Sequence, residues 1–252
     1  SKLIKMNNIF QNCYYLKYLI ISNFNTTNVN SFYRMFDSCK SLYDLDLSSF
    51  NTEKVTNFAY MFNNCNNLYF LKLDNFNTKN AIYMYNMFYG CNSLTSLDLK
   101  NFNIEYVVNT NEMFKDCSKL QKIELSESFR SDNLRYITGM FERCSSLTSL
   151  NLSYFNTENV ENMNSVFANC ISIKELNIIN LKTSKAKILN KMFYSCNNLK
   201  ELYLPYLDTR KIDSSGLSSI FDNCTSLNLF IDKEKCSNLI NLIPEYINVT
   251  DI

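Results

Sequence analysis

Apolar residues recur along the chain in a frame that combines two spacings. In the unit that starts at Cys39 the frame reads L-x-x-L-x-L-x-x-F-N, and apolar residues then follow at intervals of three and four. Leu45-Asp46-Leu47 alternates with period two, which predicts a short strand with both leucines inward and Asp46 outward. The intervals of three and four predict one or two turns of α or 3-10 helix, as in Val29, Phe32, Met35, Phe36 and Cys39.

The frame repeats down almost the whole chain, and a cysteine marks each unit. Such fixed self-similarity is the signature of a solenoid, because a unit of this size cannot bury its apolar face alone. We therefore predict an α/β solenoid with a parallel sheet on its concave face and short α or 3-10 helices on its convex face. The steps are 26, 26, 26, 26, 27, 26, 26 and 28 residues, between Cys13, Cys39, Cys65, Cys91, Cys117, Cys144, Cys170, Cys196 and Cys224.

One repeat array is expected over residues 1–228, with about eight units, because the period is unbroken. The longer steps predict local bulges at Glu127-Ser128 and near Ser214-Ser215-Gly216. Beyond Cys224 the register is lost, which predicts a cap over residues 229–252. The array is expected to start in mid-repeat, after sequence removed upstream, since the second half of a unit is matched by Leu3, Met6, Ile9 and Phe10.

The run Met-Phe-x-x-Cys-x-x-Leu-x-x-Leu-x-Leu-x-x-Phe-Asn-Thr-x-x-Val, as in residues 35–55, resembles the BspA-like leucine-rich repeats of bacterial and protozoal surface proteins. The match covers nearly the whole chain. Val166, Ile173 and Ala186 depart from the usual Met, Leu and Val but stay apolar, and glycine is scarcer than usual. The resemblance implies a cell-surface or secreted adhesin or host-protein binder that is not an enzyme, and it names no ligand.

Composition narrows the function classes. The net charge is +1 and lysines alternate with carboxylates, so no basic face predicts nucleic-acid binding. No apolar run approaches the ~20 residues of a membrane-spanning helix, so no direct membrane insertion is expected. With three glycines and two prolines in 252 residues, Asn is expected at the turns, since it tolerates left-handed conformations.

The cysteines are predicted to be structural. The chain has no histidine and no C-x-x-C, which argues against zinc. Disulfides could form only between adjacent coils, where ladder side chains run parallel. Because each ladder cysteine sits between apolar positions, we expect buried free thiols. Cys236 fits no ladder position, and either a disulfide in the cap or an exposed thiol stays open for it.

Catalysis and cofactors are not expected. A cysteine nucleophile would lack a histidine base, and the scarcity of glycine excludes phosphate-binding loops. Pairs such as Asp44 and Asp46 are expected on a solvated strand surface, where a flat array of carboxylates does not enclose the six or more oxygens that Ca²⁺ takes. We therefore predict no enzyme, no metal and no cofactor.

The outward residues of the sheet are predicted to form one binding surface. Exposed aromatic side chains favour an interface, and Tyr43 and Tyr69 lie at its margin. The alternative is that these rings simply cover strand surface. The candidate partner-binding residues are Tyr18, Asp44, Asp46, Phe70, Lys72, Asp98 and Tyr203.

Two functions follow from the sequence. The first is a surface or secreted leucine-rich repeat module that binds a protein or glycan, in an adhesion, receptor-like or assembly role. The alternative is an intracellular, cytoplasmic scaffold, because a ladder of reduced cysteines suits a reducing compartment.

Overall fold

A computed structural model describes residues 4–252 as a solenoid with two columns of stacked segments. The prediction for Leu3 lies outside the described residues. One column consists of strands, which we call the strand column. Its strands are β1 (Asp44–Asp46), β2 (Phe70–Lys72), β3 (Ser96–Asp98), β4 (Lys122–Glu124), β5 (Ser149–Asn151), β6 (Glu175–Asn177), β7 (Glu201–Leu204), β8 (Asn228–Ile231) and β9 (Asn248–Asp251).

The strands are parallel and in register, as the repeat predicts. Leu45 of β1 lies opposite Leu71 of β2, and Tyr18 of the first coil forms a bridge with Asp44. Strand ladders join β1 to β2, β3 to β4, β5 to β6, and β7 to β8 and β9. The parallel strands are therefore confirmed, and the concavity of their face stays a prediction.

The opposite column, which we call the turn column, is not helical. Phe32 and Phe36 donate their backbone N–H groups to the carbonyl groups of Asn57 and Met61 in the next coil, at 3.0 and 2.9 Å. An α-helix would direct those groups to residue i−4 of the same coil. The prediction of a short helix in each unit is wrong; the described helices are a 3-10 turn at Ser214–Leu217 and α1 (Ser237–Ile240).

Turns explain why the apolar spacing resembled that of a helix. Met35 and Cys39 donate to the carbonyls of Phe32 and Phe36 three residues earlier, at 3.0 and 3.1 Å. Each turn holds a residue of positive φ at its third position, as a type II turn requires. Such residues recur four apart: Asn8 and Asn12, Arg34 and Ser38, Tyr60 and Asn64, Asn86 and Gly90, Glu112 and Asp116, Gly139 and Arg143, Ser165 and Asn169, Lys191 and Ser195, Ser219 and Asn223.

The core between the columns is built from ladders of identical side chains. Inward leucines such as Leu45 and Leu47 are fully buried. Phenylalanine rings stack from coil to coil with centroids 5.2–5.7 Å apart and planes within 13°. Burial of each such side chain stabilises by about 1.5–3 kcal/mol. This ladder consists of Phe10, Phe36, Phe62, Phe88, Phe114, Phe141, Phe167, Phe193 and Phe221.

Buried threonines join the coils at the corner that follows most of the strands. The Thr52 hydroxyl accepts from the backbone N–H of Asn77 at 2.7 Å and donates to the carbonyl of the same residue at 2.9 Å. Thr78 bridges to Asn103 in the same way, at 2.8 and 2.7 Å. One hydroxyl therefore satisfies two main-chain groups that the strand ladder does not reach.

The irregular units keep the columns intact. Asp98 pairs with Glu124 at a spacing of 26, whereas Asn109 pairs with Tyr136 at 27, so the single extra residue lies between those two rungs. The 3-10 turn at Ser214–Leu217 takes up the second insertion, where a bulge was predicted. β8 spans the predicted start of the cap at residue 229 and continues the strand column, and the cap boundary itself stays a prediction.

Candidate binding surface on the strand side

The outward side chains of the first coil and of β1–β7 share one side of the molecule, which we call the strand face. Within each short strand the middle residue points inward and its neighbours point outward, as the burial of β1 and β3 shows. In-register stacking then places the outward residues of successive coils beside one another. All the predicted partner-binding residues lie on this face: Tyr18, Asp44, Asp46, Phe70, Lys72, Asp98 and Tyr203.

Exposed ion pairs lie on the strand face, some between neighbouring coils and some within one coil. Lys72 Nζ lies 3.9 Å from Asp46 Oδ2 and 3.6 Å from Asp74 Oδ2, and Lys100 Nζ lies 3.8 Å from Asp98 Oδ2. Pairs this exposed contribute little stability, of the order of 0–1 kcal/mol. Their charges therefore remain available to a partner.

Hydrogen bonds lower the pKa of two carboxylates of this face, Glu124 and Asp46. Hydrogen bonding from Lys100 and Lys122 lowers the pKa of Glu124 to about 2. Hydrogen bonding from Ser48 lowers the pKa of Asp46, and the Ser48 N–H lies 2.8 Å from Asp46 Oδ1. Across β1–β7 the outward carboxylates outnumber the lysines, so the face is acidic at neutral pH.

Aromatic rings on the strand face differ in their surroundings. Tyr18 is 70% exposed and Phe70 is 50% exposed, so both offer free surface. Tyr203 instead stacks on Phe230 of β8, with ring centroids 4.2 Å apart and planes within 4°. Packing on Phe230 therefore covers part of the Tyr203 ring, as expected if this ring covers strand surface. Tyr18 has no aromatic neighbour among the described ring pairs.

Two grooves border the strand face in the first coils. One of about 410 Å³ is lined by Tyr18, Ile20, Asp44 and Asp46 among others. The other, of about 400 Å³, runs along the side where the chain enters the strands. We call it the aromatic groove, and its lining is Lys17, Tyr18, Ser41, Tyr43, Asn67, Tyr69, Ser93, Thr95 and Lys119.

Sequence reasoning missed the lysines of the aromatic groove. Lys17 and Lys119 do not occupy outward strand positions, so the strand pattern gives them no role. Two signals were available. The residue four after each cysteine is Lys17, Tyr43, Tyr69 and Thr95 in the first four units, and the residue two after the cysteine is Lys119 in the fifth unit.

The cysteine ladder is buried behind the turn column. From Cys39 to Cys224 each ladder thiol is fully buried and donates to a phenylalanine carbonyl of the preceding coil at 3.0–3.2 Å, whereas Cys13 in the first coil is partly exposed. Burial raises the pKa of Cys117 and Cys170 to about 12. Thiols with raised pKa values are inert, because the thiolate is the reactive species.

Cys236 resembles the ladder more closely than its sequence position indicates. It is fully buried and unpaired, and its thiol donates to the carbonyl of Leu207 at 3.4 Å. Neither alternative left open for it, a disulfide or an exposed thiol, is therefore correct. Burial raises its pKa to about 12.

In residues 4–252, no group of three or more Cys, Asp or Glu side chains is arranged to hold a metal ion. Among the same residues, no helix has both the length and the apolar character needed to cross a bilayer.

Fold and repeat frame together define a leucine-rich repeat solenoid, with one short parallel strand in each coil. A family model described as "Mycoplasma protein of unknown function, DUF285" matches residues 1–71, 66–149 and 123–234. The chain belongs to this family. The BspA-like name stays a prediction from the motif.

Solved structures with a similar fold include other leucine-rich repeat proteins. A leucine-rich cell surface protein from Faecalibacterium prausnitzii is 16% identical with a TM-score of 0.37, over 94% of this chain and 86% of that one. An LRR protein of Leptospira interrogans is 14% identical with a TM-score of 0.38, over 89% and 54%. A chain of the Toll–Spatzle complex of Drosophila is 14% identical with a TM-score of 0.37, over 86% and 38%.

The chain spans about a third of the first two matched structures. At these TM-scores the likeness carries no weight for function. A search of curated proteins finds no match.

Proposed function

We propose that the protein is a non-enzymatic binding module of a surface or secreted protein and that it holds a partner protein on the strand face. The observation that carries the proposal is the strand face itself: exposed side chains in register from Tyr18 to Tyr203, backed by a continuous core. Repeat proteins use such extended surfaces for recognition.

The charge of the strand face indicates the chemistry of the partner. Asp44, Asp46 and Asp98 are exposed, and the ion-pair partners of Asp46 and Asp98 are exposed lysines. A partner with basic side chains would gain attraction and faster association from this field. Tyr18 and Phe70 supply the apolar area on which binding energy concentrates.

Charge reversal tests this proposal. Asp46→Lys with Asp98→Lys is compared with Glu53→Lys and Glu158→Lys, which lie off the strand face and are likewise paired with a lysine of the next coil, Lys79 or Lys182. A protein captured on immobilised wild type is purified and titrated against both variants. We expect the strand-face variant to bind about tenfold more weakly or worse and the control to bind as wild type. Equal loss in both variants, or in neither, would contradict a binding role for this face.

A second candidate, the intracellular scaffold, is favoured by one observation: all ten cysteines are unpaired thiols. Buried thiols persist in either compartment, so processing of the native protein separates the two. Peptide mapping of protein from its source would show a cleaved signal or glycans on an exported protein, and neither on a cytoplasmic one.

A further inference from the structure

We infer that the aromatic groove is a second binding site, for a linear acidic polysaccharide. The inference goes beyond the proposed function, because the groove lies beside the strand face and carries the opposite charge. Its lining holds two lysines and no carboxylate within the described residues. The strand-face residue Asp44, which pairs in register with Tyr18, is not among the lining residues.

The length of the groove and the separation of its two lysines suit a polymer rather than a small anion. Lys17 belongs to the first coil and Lys119 to the fifth, so the groove crosses four coil steps. At about 4.8 Å for each step the two lysines lie at opposite ends of a groove roughly 20 Å long. One small anion could contact one lysine only, whereas a polymer with repeating negative charges reaches both.

The floor of the groove offers ring faces. Tyr43 and Tyr69 stack on each other with centroids 5.5 Å apart and planes within 10°, and each remains about half exposed. The next coil has Thr95 at the equivalent position, so the tyrosine stack ends at Tyr69. The negative face of an aromatic ring attracts the C–H groups on the apolar side of a sugar ring.

The groove walls offer short hydrogen-bonding side chains. Ser41, Asn67 and Ser93 occupy equivalent positions in successive coils, and hydroxyl and amide groups both donate and accept. Sugar hydroxyls have the same dual character. The walls therefore suit a carbohydrate with many hydroxyl groups.

The main chain of the groove is not available to a peptide. The N–H of Tyr43 donates to the carbonyl of Lys17, and the N–H of Tyr69 donates to the carbonyl of Tyr43, at 3.0 and 2.9 Å. An extended peptide would need free strand-edge groups to bind by β-augmentation. Recognition here goes through side chains, which favours the polysaccharide over an acidic peptide.

Affinity for defined polymers tests the inference. Wild type is titrated with hyaluronan fragments and heparin fragments, which are acidic, with dextran, which is neutral, and with poly-glutamate. We expect binding to both acidic polysaccharides, weakening as salt rises, and none to dextran or poly-glutamate. Binding to poly-glutamate as tight as to hyaluronan, or no binding to either acidic polysaccharide, would overturn the inference.

Matched lysine variants locate the site. Lys17→Gln with Lys119→Gln is compared with Lys174→Gln and Lys200→Gln, which remove the same charge from exposed lysines four residues after their cysteines, as Lys17 is. We expect the first pair to weaken hyaluronan binding about tenfold and the second to leave it unchanged. Equal weakening by both pairs would show attraction to net charge alone and would refute the site.

Tyr69→Ala should weaken polysaccharide binding about fivefold at an unchanged melting temperature, because the ring is half exposed. Unchanged binding in this variant would refute the stacking role. The strand-face variant Asp46→Lys with Asp98→Lys should still bind the acidic polysaccharides. Loss of polysaccharide binding in the groove and loss of protein binding on the strand face are therefore distinguished.

Discussion

The thiol of Cys91 lies inside the ladder, with buried coils on both sides, and gives the sharpest test of how the coils hold together. It is fully buried and donates to the carbonyl of Phe62 in the preceding coil at 3.2 Å. Cys91→Ala removes one buried heavy atom and one weak hydrogen bond. Loss of a buried methylene-sized group costs about 1 kcal/mol, and a neutral hydrogen bond adds up to about 1 kcal/mol. We expect Cys91→Ala to lower the free energy of unfolding by about 1–2 kcal/mol.

Cys91→Ser separates packing from hydrogen bonding. A serine hydroxyl can donate to the same Phe62 carbonyl, so its donor is satisfied. We expect Ser to cost no more than Ala, within about 0.5 kcal/mol. If the thiol were only a small apolar group, the buried hydroxyl would lack a partner and Ser would cost about 1–3 kcal/mol more than Ala.

Urea unfolding followed by circular dichroism measures both variants. Cys13→Ala is the matched control, because that thiol belongs to the first coil and is partly exposed. We expect its cost to be less than half of that at Cys91. The reasoning is refuted if Cys91→Ala costs under 0.5 kcal/mol, on the order of a surface substitution, or if Ser is worse than Ala by more than about 1 kcal/mol.

Three further predictions follow from the ladders. Thr78→Val leaves the N–H and C=O of Asn103 without their hydroxyl partner and should lower the free energy of unfolding in urea by about 1–3 kcal/mol. Thr27→Val, at an exposed position, should lower it by less than about 0.5 kcal/mol. Gly90→Ala should cost about 1–2 kcal/mol by the same assay, because Gly90 has φ +69° and an added Cβ would lie 2.8 Å from Asn64 Oδ1; no loss would show that the turn relaxes freely. The ladder thiols bind their protons more tightly in the folded chain, where the pKa of Cys117 is raised from 9.0 to about 12. This stabilisation is complete below pH 9 and is lost as the pH rises towards 12, so the urea midpoint of unfolding should fall over that window. The fall should be smaller in a variant with alanine at several ladder positions. Equal falls in both proteins would contradict the role given to the ladder thiols.

The strand column could be predicted from the sequence because its side chains alternate with a period that only a strand has. Leu45 and Leu47 are buried and Asp46 is exposed, as the pattern requires. The turn column could not, because consecutive turns and a short helix place apolar residues at the same intervals of three and four. Asn64 and Gly90, one residue before their cysteines, carried the missing signal: both tolerate positive φ, which a helix does not use.

The candidate site was predictable only in part, for a related reason. The strand pattern predicts that Asp46 and Lys72 point outward, since the direction of a side chain in a strand depends on alternation alone. It does not predict the aromatic groove, because the stacking of coils, and no spacing within one coil, lines up its residues between Lys17 and Lys119. The stacking of Tyr203 on Phe230 could not be predicted either, because β8 does not begin at the same distance from its cysteine as β1–β7 do.

The ladders also explain why the strand side suits recognition. Inter-coil hydrogen bonds of the turn column join Phe32 to Asn57 and continue through the following units, whereas strand ladders are interrupted after β2, β4 and β6. Much of the cohesion of the stack therefore comes from the turn column, from the buried threonines, and from the buried Phe and Cys ladders, which hardly vary from unit to unit. Outward strand residues contribute little to that cohesion and do vary, from Asp46 and Lys72 to Asn151 and Tyr203. A binding module needs a surface whose residues can change without loss of the fold. Because the buried ladders hold the coils together and the outward strand residues do not, we place both proposed partners on the strand side.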